Sequence, residues 1–239
     1  MTDEEKFIES LYEEAENELK KVYSQQKESR DELLKEIAMI MLTYTILDGL
    51  MNIKKNDKDE IYKKLSELII INYKNISNKE VEVLNNILET TVKKTFNFYS
   101  YNSGLKDVRK IVESNFKGKH FSKRIWSNEQ EVSKYLHKQV NNFLNGKINV
   151  NQIKKDIEKT FNSSAYNAKR LVTTEVSRCQ NEAFRKLCEE TNVKKVKRNA
   201  ILDSKTCDDC YPLNGRVYEL KDMPQISHPM CRCFYEVYE

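Results

Sequence analysis

The sequence predicts a mainly α fold, with long N-terminal helices and a small α+β module at the C-terminal end. Three observations carry that prediction. The 239 residues include only five Gly and three Pro against 33% charged and 39% hydrophobic side chains, a composition suited to long solvated helices. Apolar residues recur at intervals of three and four over most of the length. After residue 193 this spacing gives way to short alternating pieces with turn signals between them, and four of the six cysteines fall in that stretch.

Phe7, Leu11, Ala15, Leu19 and Val22 mark one face of a first helix, and a second is predicted over residues 31–47. Residues 52–59 are polar without period and read as a loop, after which Ile61, Leu65, Leu68 and Ile69 restart the helical spacing with Asp57 or Asp59 as cap. Ser77 and Glu80 have the spacing of a capping box, in which each side chain satisfies a free backbone N–H at a helix start. Val81, Leu84, Leu88, Val92 and Phe96 follow on one face, and Asn102-Ser103-Gly104 ends the run. A second such pair, Ser127 and Gln130, opens a helix that closes at Asn145-Gly146. Asn149 or Asn151 begins the next, and residues 164–191 read as one long helix carrying Ala168, Leu171, Val172 and Glu175. Strands are predicted over 193–202, 216–220 and 234–238, with Asn214-Gly215 as a turn. The chain thus divides into a helical region 1–110, a second helical part 111–192, and a small β-containing module 193–239.

The formal charge of +4 is close to balance and announces no partner by itself. The first twenty residues are acidic, with Glu13, Glu14, Glu16 and Glu18. Lys194, Lys195, Lys197, Arg198 and Lys205 cluster ahead of the cysteines, a solvated surface or a candidate contact to nucleic acid. No stretch approaches the roughly 18 uncharged apolar residues of a membrane span. The opening Thr2, Asp3, Glu4 and Glu5 has no basic region leading into an apolar core. Neither membrane insertion nor secretion is expected, and the thiols are expected to stay reduced.

The cysteines carry the chemistry. Cys207 and Cys210 are separated by Asp208 and Asp209, a C-x-x-C turn. Such a turn lets two thiolates reach one tetrahedral ion, and His228, Cys231 and Cys233 follow as further donors. Five candidates therefore compete for four zinc positions. An extended 231–233 segment puts Cys231 and Cys233 on one face, so that both bind; an H-x-x-C turn brings in His228 and Cys231 instead. A closed four-ligand site is structural, whereas a catalytic zinc keeps a position for water. A redox C-x-x-C would open a helix, yet Tyr211-Pro212 and Asn214-Gly215 make turns. Cys179 and Cys188 read as core thiols on the preceding helix, and His120 and His137 receive no role. No catalytic residue is assigned.

The runs Leu171-Val-Thr-Thr-Glu-Val-Ser-Arg-Cys-Gln-Asn-Glu-Ala, Leu202-Asp-Ser-Lys-Thr-Cys-Asp-Asp-Cys, Leu213-Asn-Gly and His228-Pro-Met-Cys-Arg-Cys resemble the phage head morphogenesis family of Mu-F-like minor head proteins. Thr174, Glu175, Arg178 and Asn181 match its helix motif. The resemblance extends through Trp126, Gly146 and Ile153 to cover about residues 120–239, so that 111–192 is read as the helical part of a Mu-F-like domain. A tryptophan often found in the family before the cysteines is missing, with Asn199 and Ala200 near its place.

The resemblance implies a virion head component, assembled in the bacterial cytoplasm, whose partners are the portal protein, other head proteins and, for some members, double-stranded DNA. It implies no catalytic residues. Glu175, Arg178 and Asn181 share a helix face at spacings of three and are expected to dock the β module. The competing classes are a zinc-containing DNA-binding module, and a Mu-F-like domain joined to a toxin such as an ADP-ribosyltransferase. Residues 1–110 offer no clustered catalytic polar groups for the latter.

Overall fold

A computed structural model describes residues 2–102, 104–204, 206–226 and 228–238. Ser103 of the predicted helix stop and Lys205 of the basic cluster lie outside the described residues.

Helix α1 (Asp3–Thr43) is continuous. Its buried positions Ile8, Leu11, Ala15, Leu19, Val22, Gln26, Ser29, Leu33, Ile37 and Ile40 step by three and four along one face. Thr2 and Glu5 form a capping box at its start, with Glu5 N donating to Thr2 Oγ1 at 3.1 Å and Thr2 N to Glu5 Oε2 at 2.8 Å. The predicted break between residues 22 and 31 is absent because Gln26 and Ser29 keep the stripe's spacing while interrupting its apolar character. The helix also stops short of residue 47. Strands β1 (Ile46–Leu47) and β2 (Leu50–Met51) form an antiparallel hairpin across Asp48-Gly49, both at positive φ, the conformation an Asp-Gly turn favours.

Helix α2 (Lys55–Phe98) likewise runs unbroken, so Ser77 and Glu80 are not a cap but buried positions in mid-helix. The short α3 (Leu105–Val112) follows, then α4 (Phe121–Leu144), which starts one and a half turns before the predicted Ser127 cap. It closes as predicted at Gly146, whose φ of 64° lets Lys147 N reach back to Asn142 O at 2.9 Å. Helix α5 (Val150–Glu190) is capped by Asn149, whose Oδ1 accepts from Gln152 N at 2.8 Å. It is therefore much longer than the 164–191 reading. Asn192, at φ 57°, ends it.

The remaining chain folds into a three-stranded antiparallel sheet in the order β4 (Val217–Glu219), β3 (Lys195–Asn199), β5 (Phe234–Tyr238). Val196 sits opposite Tyr218 and Val237. Asn214-Gly215 serves the sheet as expected, with Gly215 N donating to Arg198 O at 2.7 Å and Asn214 Oδ1 accepting from Ala200 N at 2.8 Å.

The chain makes two compact units that alternate along the sequence. Unit 1 takes Met1–Leu19, Glu82–Phe121 and Lys169–Glu239; unit 2 takes Lys20–Val81 and Ser122–Ala168. The sequence division at 110 and 192 does not coincide with them, because α1, α2 and α5 each supply residues to both. Unit 2 buries Leu33, Ile37, Leu65 and Ile69 with Val140, Phe143, Ile153 and Ile157. Among the described residues, two smaller clusters lie in unit 1. One packs Phe184, Cys188, Val196 and Tyr235, and the other packs Phe116, Ala200 and Ile226 around Cys210, Cys231 and Cys233.

Polar side chains interrupt the interior of unit 2. Gln26 Nε2 donates to Ser164 Oγ at 2.8 Å, and Ser164 Oγ donates to Glu129 Oε1 at 2.6 Å. Glu80 and Glu129 are both 2% exposed. Burial, and then the charge of Glu129, push the Glu80 carboxyl from 4.5 up to about 8, and burial raises Glu129 as well. The folded form thus keeps a proton that the unfolded chain releases, so its stabilising contribution is full below about pH 4.5 and is lost as pH rises to about 8. Glu80→Gln, a permanent mimic of the protonated form, is expected to raise the melting temperature more at pH 8 than at pH 5 and to flatten the decline between them. Thermal melts of both proteins across that range check this, and parallel pH profiles would refute it.

Candidate metal centre

Two tight turns deliver the donors. Cys210 N and Tyr211 N both bond to Cys207 O, at 3.0 and 3.1 Å, and Tyr211–Leu213 continues as a 3-10 turn with Pro212 inside it. On the second turn Cys231 N reaches His228 O at 3.3 Å while Met230 adopts a φ of 62°. The two turns face each other. His228 Nε2 lies 3.0 Å from Cys207 Sγ and 3.0 Å from Cys210 Sγ, and Cys210 Sγ lies 3.7 Å from Cys231 Sγ.

All five predicted donors converge, in two overlapping groups that share Cys210: Cys207, Cys210 and His228 in one, Cys210, Cys231 and Cys233 in the other. Zinc–sulfur bonds of about 2.3 Å at tetrahedral angles set sulfur–sulfur edges of roughly 3.8 Å. The Cys210–Cys231 separation matches such an edge. His228 Nδ1 sits 2.8 Å from Pro229 O, which takes its N–H and turns the lone pair of Nε2 toward the thiols. Donor types and imidazole orientation fit a metal ion and the group could hold one, although the 3.0 Å N···S separations are those of direct contacts and would have to open to roughly 3.6 Å around zinc.

Cys210, Cys231 and Cys233 are buried, while Cys207 and His228 are half-buried. Burial pushes the Cys210 thiol up to about 11. A hydrogen bond with Cys233, followed by burial, raises Cys231; the same bond lowers Cys233, assisted by Arg198. Metal binding replaces these protons, so uptake releases them to solvent.

Helix α5 supports the centre through one polar face. Glu175 Oε2 accepts from Arg178 Nε at 2.7 Å, both residues being buried. The Arg178 guanidinium then caps the end of α3, donating from Nη1 to Ile111 O at 2.9 Å and Ser114 Oγ at 2.6 Å and from Nη2 to Val112 O at 3.3 Å. Asn181 Nδ2 donates to Cys233 O at 3.1 Å. Of the three expected docking residues, Asn181 touches the cysteine module, whereas Arg178, with Glu175 holding it, grips α3. Sequence reasoning missed two more contacts: Thr174 Oγ1 accepts from Met230 N at 3.1 Å, and Arg185 Nη2 donates to Met223 O at 2.5 Å. Thr174 stood in the quoted motif, and its place one turn before Arg178 was the available signal.

The basic cluster divides. Alternation along β3 turns Val196 and Arg198 inward and Lys195 and Lys197 outward, where Lys195 Nζ lies 3.9 Å from Glu219 and Lys197 pairs with Glu236. Lys194 is exposed, whereas Arg198 is 2% exposed and its Nη2 lies 3.6 Å from Cys210 Sγ. Arg198 is thus part of the cysteine centre and not of the outward basic surface. Cys179 and Cys188 are buried on α5, outside both donor groups.

The segment joining these parts matches a known family. Residues 134–236, from α4 to β5, match the family model for phage Mu protein F like protein. Over that stretch the chain is similar to this family. Its span takes in the α5 face and all five donors, and it begins after Trp126, so the upstream part of the resemblance lies outside it. No curated protein and no solved structure matches the chain.

Because Arg178 and Glu175 are buried together, removing the guanidinium strands both a carboxylate and the α3 carbonyls. Arg178→Met is expected to destabilise unit 1 by about 3–5 kcal/mol, and Asn181→Ala by about 1–3 kcal/mol. Urea unfolding followed by far-UV signal checks both, and an Arg178→Met chain as stable as wild type would overturn the bracing role.

Proposed function

We propose that this protein is a structural component of a phage head, built in during head assembly and associated with the portal, and that its cysteine centre holds a structural zinc ion. The observation that carries the reading is the Mu-F-like match, which covers the helix α5 face and the donor set together. The convergence of thiols and an imidazole in a largely buried site supports a closed ion held for its folding energy rather than an open one for catalysis. We therefore read the protein as a non-enzyme. The reading does not route through DNA, since Lys195 and Lys197 face carboxylates and Arg198 faces sulfur.

Two measurements test this. Chains purified under reducing conditions should contain about one zinc each. Cys207→Ser should lower that content and loosen the sheet while much of the helical signal stays, because most helix residues lie in elements that do not carry the donors. Metal analysis finding no zinc, or bound metal unchanged in Cys207→Ser, rejects the zinc assignment.

For the head assignment, mass spectrometry of purified particles and assembly intermediates should detect the protein in few copies, and its deletion should impair particle assembly or infectivity. Absence from both kinds of particle together with undiminished infectivity rejects it.

A further inference from the structure

Arg198 lies on the central strand of the sheet, on the face that alternation turns inward, and is 2% exposed. Its Nη2 stands 3.6 Å from Cys210 Sγ, and its guanidinium also hydrogen-bonds Cys233. One cation thus touches two sulfurs of the centre, including Cys210, which both donor groups share. Neighbouring cations are engaged elsewhere, Arg232 with Asp203, Lys197 with Glu236 and Lys195 with Glu219.

Charge counting gives this contact its meaning. Zinc held by three thiolates and a neutral imidazole carries a net charge of −1, and by four thiolates −2, and a net charge is costly to bury without a partner. We propose that Arg198 is the buried counter-charge of the metal centre, a positioning residue that neutralises the excess thiolate charge and fixes Cys210 and Cys233 through N–H···S bonds. This rests on the zinc reading above. It gives a chemical reason for a basic residue on the inward face of the strand, beside the buried Val196, and it takes Arg198 out of the set available to phosphates. Arginine suits the place better than lysine because its planar fork presents donors to two acceptors at once.

The test uses the full chain, reduced and freed of metal, titrated with Co2+ alone and then with Zn2+ against a chelating indicator. Wild type, Arg198→Lys and Arg198→Met are compared. Loss of an outer partner of this kind costs about 10- to 100-fold in metal affinity, and that is the expected loss for Arg198→Met. The shape of the Co2+ ligand-field spectrum should stay as in wild type, since no ligand is removed, a feature that a merely collapsed site would not preserve. Arg198→Lys keeps the charge and should recover part of the affinity. If Arg198→Met does not fold, Arg198→Lys against wild type still decides, since a charge partner predicts a loss smaller than tenfold with an unaltered spectrum. Zinc bound by Arg198→Met within threefold of wild type, or Arg198→Lys as weak as Arg198→Met, overturns the role of Arg198 alone. A wild-type chain that takes up neither Co2+ nor Zn2+ removes the centre and this role with it.

Discussion

The polar face of helix α5 is the constraint on which unit 1 depends. Thr174, Arg178 and Asn181 lie on it within two turns and are all buried. Each gives or takes a hydrogen bond from backbone outside its own helix: Met230 N, the carbonyls of Ile111 and Val112, and Cys233 O. Buried polar groups left without partners are expensive, so these bonds select the arrangement that pairs these donors and acceptors more than they add attraction. Arg178 is the central member because Glu175 fixes its guanidinium while α3 takes the remaining donors. The apolar cluster around Phe184 and Val196 supplies bulk burial, but hydrophobic packing alone is non-directional and would tolerate several seatings of so small a sheet.

The cysteine centre inherits its shape from that face. Met230 and Cys233, whose backbone α5 holds through Thr174 and Asn181, bracket Cys231. Helix α5 thereby places the second donor turn, and the strand carrying Arg198 places a charge behind the first. Metal affinity and the seating of the sheet on α5 are consequently two aspects of one equilibrium: whatever orders the turns favours the ion, and the ion orders the turns.

Much of this was legible in the sequence, and the helix breaks that do not exist share one cause. The convergence of five candidate donors, Asn149 as one of two candidate caps, the Gly146 stop and the Asn214-Gly215 turn follow from local chemistry. Three of the misplaced helix boundaries have one origin. Gln26 and Ser29 in α1, Ser77 and Glu80 in α2, and Ser164 in α5 occupy core positions with polar side chains. A pattern-based reading takes a polar residue on an apolar stripe as the end of a helix. Here Gln26 bonds Ser164 from 138 residues away and Ser164 bonds Glu129 from 35 away, a compensation that no local window contains. The Asp48-Gly49 hairpin was missed because its strands are only two residues long, too short for alternation to register. Arg198 was grouped with the lysines by proximity in sequence, although a period of two sends it to the other face of the strand from Lys195 and Lys197.

The alternation of the two units along the chain sets an order of events at the ribosome. Every segment of unit 2 has been made once Ala168 is added, so its interior can assemble while translation continues. Unit 1 waits: Ile8, Leu11, Ala15 and Leu19 at the start of α1, and Val92 and Phe96 near the end of α2, bury their apolar surface in a unit that also needs the last strand, β5. Through that interval these parts of α1 and α2 have each other, as in the Phe7–Phe98 stack, but lack the α5 and sheet residues that complete their unit, and incompletely covered apolar surface is what chaperones bind. Slow decoding of the α5 and cysteine segments therefore prolongs the exposure of a helix completed long before them.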